Sequence, residues 1–504
     1  MAASDDAAGG SVADGKRVFL EGLGEGGTAI RASVGKPATE VSAAILPCVN
    51  CHGRDGRGRK EGGLNPSDIR WLELTKPYGE STAARRRGAY DEGTLIRAIA
   101  MGIDSSGNKL DPAMPRFQLT VGDARNLVEY LKILGTETDP GIGNSAVKIG
   151  VVLPPERTFG AMRRSIRETL LAFAGEMNDA GGVYGRKLEL CFGTAPEEPR
   201  LRANAVRDFV DKEQPFALVS SFIAGGEREI IPCLEEKGIP IIGPVCLYSE
   251  DRKPPNRHVF HLFSGLAGQS KALVDFAAGL EPLRQTSILL VQPSGDPEME
   301  TIADAVEERA SEKGWTFQKV AVDGQSSPDW TGIVSTGRIG AVFWLAPGSA
   351  LPGFAKAVGD SEAPPFLFGP SALIGQEIFS LPKSFSGRAF VSFPALATDQ
   401  TVTGRKEFME LAEAGKFSQG GLATRLAALS AAKVLVQGMQ QTGRALTRER
   451  LVDELERLYQ FSTGQTPPIT FGANRRIGAD GVHVVAADLE HGEFAFPATW
   501  VVLK

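Results

Sequence analysis

The chain has 504 residues, of which 42% are hydrophobic and 23% charged, as in ordinary globular proteins. At this length we expect two or three domains rather than one core. The formal net charge of −6 gives no indication of nucleic-acid binding. No apolar run approaches the ~20 residues that span a bilayer, so we expect no integral membrane segment.

The first motif in chain order is Cys48-Val49-Asn50-Cys51-His52, which follows a short predicted helix over residues 14–20 and a glycine-rich stretch over 22–35. A C-x-x-C-H sequence attaches c-type haem, because two thiols at this spacing can add to one porphyrin while the imidazole ligates its iron. A zinc site would need a second closely spaced ligand pair, which does not follow. A redox pair should lie in a βαβ unit, whereas glycine-rich residues follow here. We therefore interpret the motif as a haem attachment site.

Two further helices are predicted after the motif. One begins near Tyr90 and carries Leu95, Ile96 and Ile99, and the other runs from a cap at Thr120 or Asp123 to Gly135. A Met114-Pro115 pair lies between them, 62 residues after His52.

Together these features resemble a class I c-type cytochrome domain, for which we set the bounds 13–136. The resemblance implies an all-α domain with one covalent haem c, attached through Cys48 and Cys51 and ligated by His52 and Met114. Met101 is the rival ligand, but it lies within the helical pattern of the first of the two helices and is interpreted as a packing residue.

Residues 137–146 form a predicted linker, and a different pattern begins at residue 147. Buried strands such as 147–153 alternate with helices such as 159–180, and the series starts again at residue 287. This alternation predicts parallel sheets covered by helices. We expect two α/β lobes, about 147–262 and 286–394, with later segments completing both.

Residues 147–504 resemble the type I periplasmic solute-binding proteins of the leucine-binding class. The resemblance rests on Asn178–Val183, Gly238–Pro244, Asp329–Ile333 and the helix over 428–435. It implies an ABC transporter substrate-binding protein that holds a small ligand between its lobes, outside the carboxyl ends of the strands. Residues after those strands are the predicted cleft: Phe159, Ser220, Ser221, Phe222, Asp296, Trp344 and Ser371.

By the same resemblance, Ser221 would bind the ligand carboxylate and Phe159 would cover the ligand. The family's carboxylate for an α-ammonium group is missing, since Ser371 stands where it would be. Burying an ammonium group without a counter-charge is costly. We therefore expect a neutral or anionic, partly apolar ligand held by Phe159, Phe222 and Trp344, with Asp296 as the nearest alternative carboxylate. His261 is expected to be structural.

Two of the five cysteines belong to the haem motif, and the other three are Cys191, Cys233 and Cys246. We expect them to be packing residues, with a Cys233–Cys246 disulfide as the alternative. The resemblance implies a periplasmic protein. Because Met1–Asp6 lacks the apolar core of a signal peptide, we expect that such a segment has been removed.

The resulting hypothesis is a non-enzymatic, periplasmic electron-transfer protein fused to a solute-binding domain. Its expected partners are a small molecule and a periplasmic dehydrogenase, for example a quinoprotein. Two alternatives stay open: a transport receptor with an accessory haem, and a cytochrome subunit of an oxidoreductase. Two observations argue against the oxidoreductase. Ligation by His52 and Met114 would leave no open position on the iron, and the sequence offers no evident nucleophile–base pair.

Overall fold

The computed structural model describes residues 10–58, 63–81, 86–136, 138–248, 255–283, 286–323, 328–358 and 363–503. The chain divides into two compact units, here called unit 1 (Met1–Asp139) and unit 2 (Pro140–Lys504). Within the described residues, no helix is both long and apolar enough to cross a membrane.

Unit 1 combines short helices with short strands. The helices are α1 (Val12–Glu21), α2 (Cys48–His52), α3 (Trp71–Leu74), α4 (Glu92–Met101) and α5 (Val121–Ile133). The strands are β1 (Arg31–Val34), β2 (Thr39–Ser42), β3 (Glu80–Ser81), β4 (Arg86–Arg87) and β5 (Arg116–Gln118). The expectation of an all-α domain is therefore wrong. β1 lies in the stretch expected to be loop, where it pairs with both β2 and β5.

The core of unit 1 depends on the close crossing of α1 and α5. A Cβ atom at Gly15 of α1 would lie 1.9 Å from the carbonyl oxygen of Asn126, so only glycine permits this approach. Phe19 and Tyr130 then pack with their ring centroids 5.4 Å apart. Thr120 caps α5, its hydroxyl accepting a hydrogen bond from the Asp123 amide at 3.0 Å.

Unit 2 consists of helices alternating with strands. The helices are α6 (Glu156–Asp179), α7 (Pro199–Glu213), α8 (Glu227–Glu236), α9 (Leu266–Ala278), α10 (Pro297–Glu312), α11 (Trp330–Gly337), α12 (Leu351–Val358), α13 (Ser371–Ile374), α14 (Val402–Ala414), α15 (Leu422–Thr442) and α16 (Arg448–Leu455). The strands are β6 (Ala146–Leu153), β7 (Lys187–Thr194), β8 (Ala217–Val219), β9 (Ile241–Ile242), β10 (Val259–Phe260), β11 (Ser287–Pro293), β12 (Thr316–Val322), β13 (Ile339–Trp344), β14 (Phe366–Pro370), β15 (Ala389–Phe393), β16 (Gly481–Asp488) and β17 (Glu493–Val502).

These strands form two sheets, one in each lobe of unit 2. The sheet of lobe one is parallel in the order β10-β9-β8-β6-β7, and the sheet of lobe two has the order β12-β11-β13-β14-β15-β16-β17. The first five strands of lobe two are also parallel, and β16 and β17 add antiparallel strands at one edge. Each lobe therefore places its carboxyl-terminal strand ends along one edge, where α/β proteins bind ligands.

Candidate functional site

Unit 1 contains a cavity of about 1170 Å³, formed within the described residues. This exceeds the ~300–1,000 Å³ of typical small-molecule sites. Its walls are largely apolar and include Phe19, Leu46, Leu95, Ile99, Leu127 and Leu131. The residues that the haem motif singled out, Cys48, Cys51 and His52, also line it.

The α2 helix brings the two thiols and the imidazole to the same cavity. The Nδ1 atom of His52 lies 2.9 Å from the carbonyl oxygen of Ser67, which can only accept a hydrogen bond. The proton is therefore assigned to Nδ1, which leaves the Nε2 lone pair for a metal. Burial lowers the pKa of His52 and so favours this neutral form, and burial raises the pKa of Cys48 to about 12.

Met114 and Met101 both line this cavity. Met114 is half-buried in the turn that precedes β5, whereas Met101 ends α4 and is 65% exposed. The interpretation of Met101 as a packing residue is therefore wrong, because its side chain is largely exposed whereas Leu95, Ala98 and Ile99 of the same helix are buried.

This set of residues fits a covalently attached haem. It offers two thiols, a neutral imidazole, a thioether and apolar walls, which are the groups that a His/Met-ligated c-type haem requires. A thiolate-bound zinc would instead need deprotonated cysteines and further ligands. Among the described residues, no three His, Cys, Asp or Glu side chains are grouped to hold a metal ion.

In unit 2, the two lobes meet near the carboxyl ends of their sheets. The Arg228 guanidinium of lobe one lies 3.2 Å from the carboxylate of Glu298 in lobe two. The Leu266 amide at the start of α9 donates to the Leu247 carbonyl at 2.9 Å. The start of α8 therefore neighbours the start of α10 across the cleft, and the loop after β9 contacts the start of α9.

The predicted residues of lobe one lie beside one another, but their roles differ. Phe159 and Phe222 pack with ring centroids 5.3 Å apart, and Phe159 departs from helical dihedral angles within α6. The Ser221 hydroxyl accepts from the Val152 amide at 2.9 Å and donates to the Val219 carbonyl at 3.3 Å, so it serves the sheet.

Ser220, rather than Ser221, has a side chain that is free to bind a ligand. It is buried and its φ of +46° lies in the left-handed region, which is costly for a residue other than glycine. Among the described residues, its hydroxyl has no hydrogen-bond partner. An unsatisfied buried hydroxyl on strained backbone at a strand end is typical of a binding position.

The predicted residues of lobe two occupy dissimilar positions. Trp344 is fully buried, and its ring packs against Trp330 and Phe354 in the core of that lobe. Asp296 caps α10, accepting from the Glu298 and Met299 amides at 3.1 Å. Ser371, half-buried, is the first residue of α13.

Two carboxylates near the cleft, Glu227 and Glu298, were not singled out by the sequence. Burial raises the pKa of Tyr248, and the negative charges of Asp296, Glu298 and Glu227 raise it further. Glu227 is itself buried, and its raised pKa reflects that burial together with the charge of Glu298 from the opposite lobe. The loop after β9 therefore lies beside three carboxylates and the Arg228 guanidinium.

The remaining cysteines occupy dissimilar sites. All five cysteines lie in the described part of the chain, and none forms a disulfide. Cys233 is buried, whereas Cys191 and Cys246 are half-buried. The Cys246 sulfur lies 3.5 Å from Nδ1 of the buried His261, whose pKa burial lowers to about 4. This pair is a neutral thiol and a neutral imidazole rather than an activated nucleophile.

The fold and cleft of unit 2 define a two-lobe α/β binding protein, and sequence comparison identifies the family. The family model described as periplasmic binding protein matches residues 146–489, more than half of the chain. The chain belongs to this family. A search among curated proteins found no match.

Solved structures support the same architecture. A leucine binding protein from Thermotoga maritima aligns with a TM-score of 0.56 at 16% identity, covering 70% of this chain and 98% of that one. A fatty acid ABC transporter substrate-binding protein from Thermomonospora curvata gives 0.56 at 12% identity, covering 73% and 94%. A branched chain amino acid ABC transporter from Thermus thermophilus with bound valine gives 0.52 at 16%, covering 70% and 95%. At these identities the likeness establishes the fold alone.

The burial of Trp344 predicts that Trp344→Ala lowers the free energy of unfolding by ~3–5 kcal/mol, because it leaves a cavity in the core of lobe two. Phe159→Ala, at a half-buried cleft position, should cost less than ~2 kcal/mol. Urea denaturation of both variants measures the difference. A Trp344→Ala protein that is as stable as wild type but binds its ligand poorly would contradict this placement.

Proposed function

We propose that the protein is a periplasmic solute receptor whose first unit carries one covalently attached haem c. The receptor role follows from membership of the periplasmic binding protein family. The observation that supports the haem is the single cavity that Cys48, Cys51, His52 and Met114 line together. A receptor of this class binds its ligand without turnover and presents it to a transporter, which we infer to be of the ABC type.

In the haem unit, each residue has a distinct task. Cys48 and Cys51 would hold the porphyrin through thioether bonds, and the Ser67 carbonyl would orient His52 toward the iron through its bond to Nδ1. Met114 would complete the ligand set. A His/Met-ligated haem supplies one-electron transfer at a raised potential.

Electron transfer to a periplasmic dehydrogenase is the second candidate function. The apolar cavity of unit 1 favours it, because a buried, fully ligated iron suits electron transfer better than substrate chemistry. A quinoprotein dehydrogenase that needs a one-electron acceptor is the partner class that we propose. If this protein and the dehydrogenase stay assembled, the same electron-transfer role is that of a cytochrome subunit of an oxidoreductase.

Met114→Ala should remove the iron–sulfur bond while the haem stays attached, because Cys48, Cys51 and His52 are unchanged. We expect the weak ferric absorption near about 695 nm to disappear and the reduction potential to fall. Met101→Ala is the matched control and should keep both the absorption band and the wild-type reduction potential. If Met101→Ala loses the band and Met114→Ala retains it, the ligand assignment is reversed.

We propose a neutral, partly apolar ligand for the cleft. Phe159 and Phe222 offer an apolar wall, and Ser220 offers a hydroxyl without a partner among the described residues. Asp296 is engaged as a helix cap, so it is a poor replacement for the missing ammonium counter-charge. The carboxylates around Tyr248 lead us to propose a neutral ligand rather than the anionic one that was also expected.

Calorimetry with pairs of ligands of similar shape tests this charge preference. We expect 3-methylbutan-1-ol to bind at least ~100-fold more tightly than leucine, and benzyl alcohol more tightly than benzoate, because burying an unpaired charge costs several kcal/mol. Ser220→Ala should weaken binding of the alcohols by ~5–10-fold, the loss of one hydrogen bond.

Ser221→Ala is the matched control for Ser220→Ala. Because the Ser221 hydroxyl bonds to the backbone of the sheet, its loss should lower stability with little effect on affinity. Tight leucine binding that survives Asp296→Asn, a substitution that preserves the helix cap, would show that the cleft accepts a zwitterion and that this interpretation is wrong.

A further inference from the structure

The turn that carries Met114 is held by one side chain, Arg116. Its guanidinium donates hydrogen bonds to the carbonyl oxygens of Leu110 at 3.0 Å, Asp111 at 3.1 Å and Met114. Residues 110–114 are here called the Met114 loop. Three of the five backbone carbonyls of this loop therefore accept hydrogen bonds from the same guanidinium. Arginine suits this arrangement because its planar group presents five donors in a fixed geometry and stays charged.

Backbone contacts hold the same loop at other points. The Leu110 amide donates to the Gly102 carbonyl at 2.8 Å, the Gly35 amide donates to the Pro112 carbonyl at 3.0 Å, and the Met114 amide donates to the Asp111 carbonyl at 3.1 Å. The first two bonds tie the loop to the end of α4 and to the residue after β1, and the third closes a turn within it. The bonds of Arg116 connect the loop to the start of β5, which is paired in the sheet of unit 1.

The guanidinium also lies against the end of α4, next to the rival methionine. A Cβ atom at Gly102 would lie 1.8 Å from Nε of Arg116, so glycine is needed there to admit the arginine. Met101 precedes Gly102 and lines the same cavity as Met114. Arg116 therefore lies at the junction of the two segments that could each supply a thioether.

We propose that Arg116 is the positioning residue that makes Met114, rather than Met101, the sixth ligand of the haem iron. This inference rests on the haem unit proposed above and adds the device that selects between its two thioethers. Met101 is carried by a helix end and is largely exposed, whereas Met114 lies on a loop. A loop keeps one position only if its polar groups are fixed, and Arg116 fixes three of them.

Spectroscopy of the haem-loaded full-length protein tests the proposal without a partner or a substrate. In Arg116→Gln the equilibrium between Met114-bound and Met114-free ferric iron should shift by roughly 10–100-fold toward the free form, as expected for the loss of charged hydrogen bonds. The iron–sulfur band near about 695 nm should then weaken or melt at lower temperature while the haem stays attached. Arg116→Lys should be intermediate, because lysine cannot reach three carbonyls in one plane.

Arg97→Gln is the matched control. The Arg97 guanidinium also donates a hydrogen bond to a backbone carbonyl in a loop, that of Asp104 at 2.7 Å. That loop contains no methionine. The control should lose thermal stability yet keep the iron–sulfur band. If Arg97→Gln weakens the band as much as Arg116→Gln does, Arg116 has only a general structural role and the proposal fails.

The double variant Arg116→Gln/Met101→Ala separates loss of the ligand from exchange of the ligand. A band that persists in Arg116→Gln and in Met101→Ala but is lost in the double variant shows that Met101 has replaced Met114, as the proposal allows. A band of wild-type strength in both Arg116→Gln and the double variant overturns the proposed role of Arg116 but leaves the proposed haem unit intact. A wild-type protein that attaches haem but shows no iron–sulfur band, or attaches none, overturns the proposed haem unit as well.

Discussion

The proposed function of unit 1 depends on one apolar cavity, which Cys48, Cys51, His52 and Met114 line together. α2 has only five residues, too few for a stable isolated helix, so the orientation of Cys48, Cys51 and His52 depends on what packs around them. The crossing of α1 and α5 at Gly15 supplies one wall, and the Met114 loop lies at the cavity. The proposed haem would contact all of these residues together, since it would bury the walls and engage the imidazole and the thioether.

Unit 2 places a different constraint on its ligand, one of charge. Both lobes direct the carboxyl ends of parallel strands to a common edge, and the side chains that come together there include Glu227, Glu298 and Tyr248. Arg228 forms an ion pair with Glu298, and an anionic ligand would still meet the other carboxylates. A neutral ligand avoids both the repulsion and the missing counter-charge, and the Phe159–Phe222 pair provides apolar contact for it. Under the proposed function, unit 1 would hold a redox group and unit 2 would select an uncharged solute.

Patterns local in sequence were sufficient for much of this description. The C-x-x-C-H spacing determines which side chains share one helical turn, and the alternation of strands and helices after residue 147 predicted the two-lobe fold. Features that depend on tertiary contacts could not be predicted. Ser220 and Ser221 are neighbours with opposite environments, Trp344 ends a strand but faces the core, and β1 forms in a glycine-rich stretch because β2 and β5 pair with it. The role of Arg116 has no sequence signal, since its partners are backbone carbonyls.

The most direct test of the account is the intact mass of the full-length protein, produced in the periplasm of a host that attaches haem c and measured under denaturing conditions. The account predicts the mass of the polypeptide plus one haem, with Cys48 and Cys51 resistant to alkylation and Cys191, Cys233 and Cys246 reactive after unfolding. A folded protein with the mass of the bare polypeptide and five alkylatable cysteines, from a host that loads a control cytochrome, would contradict it.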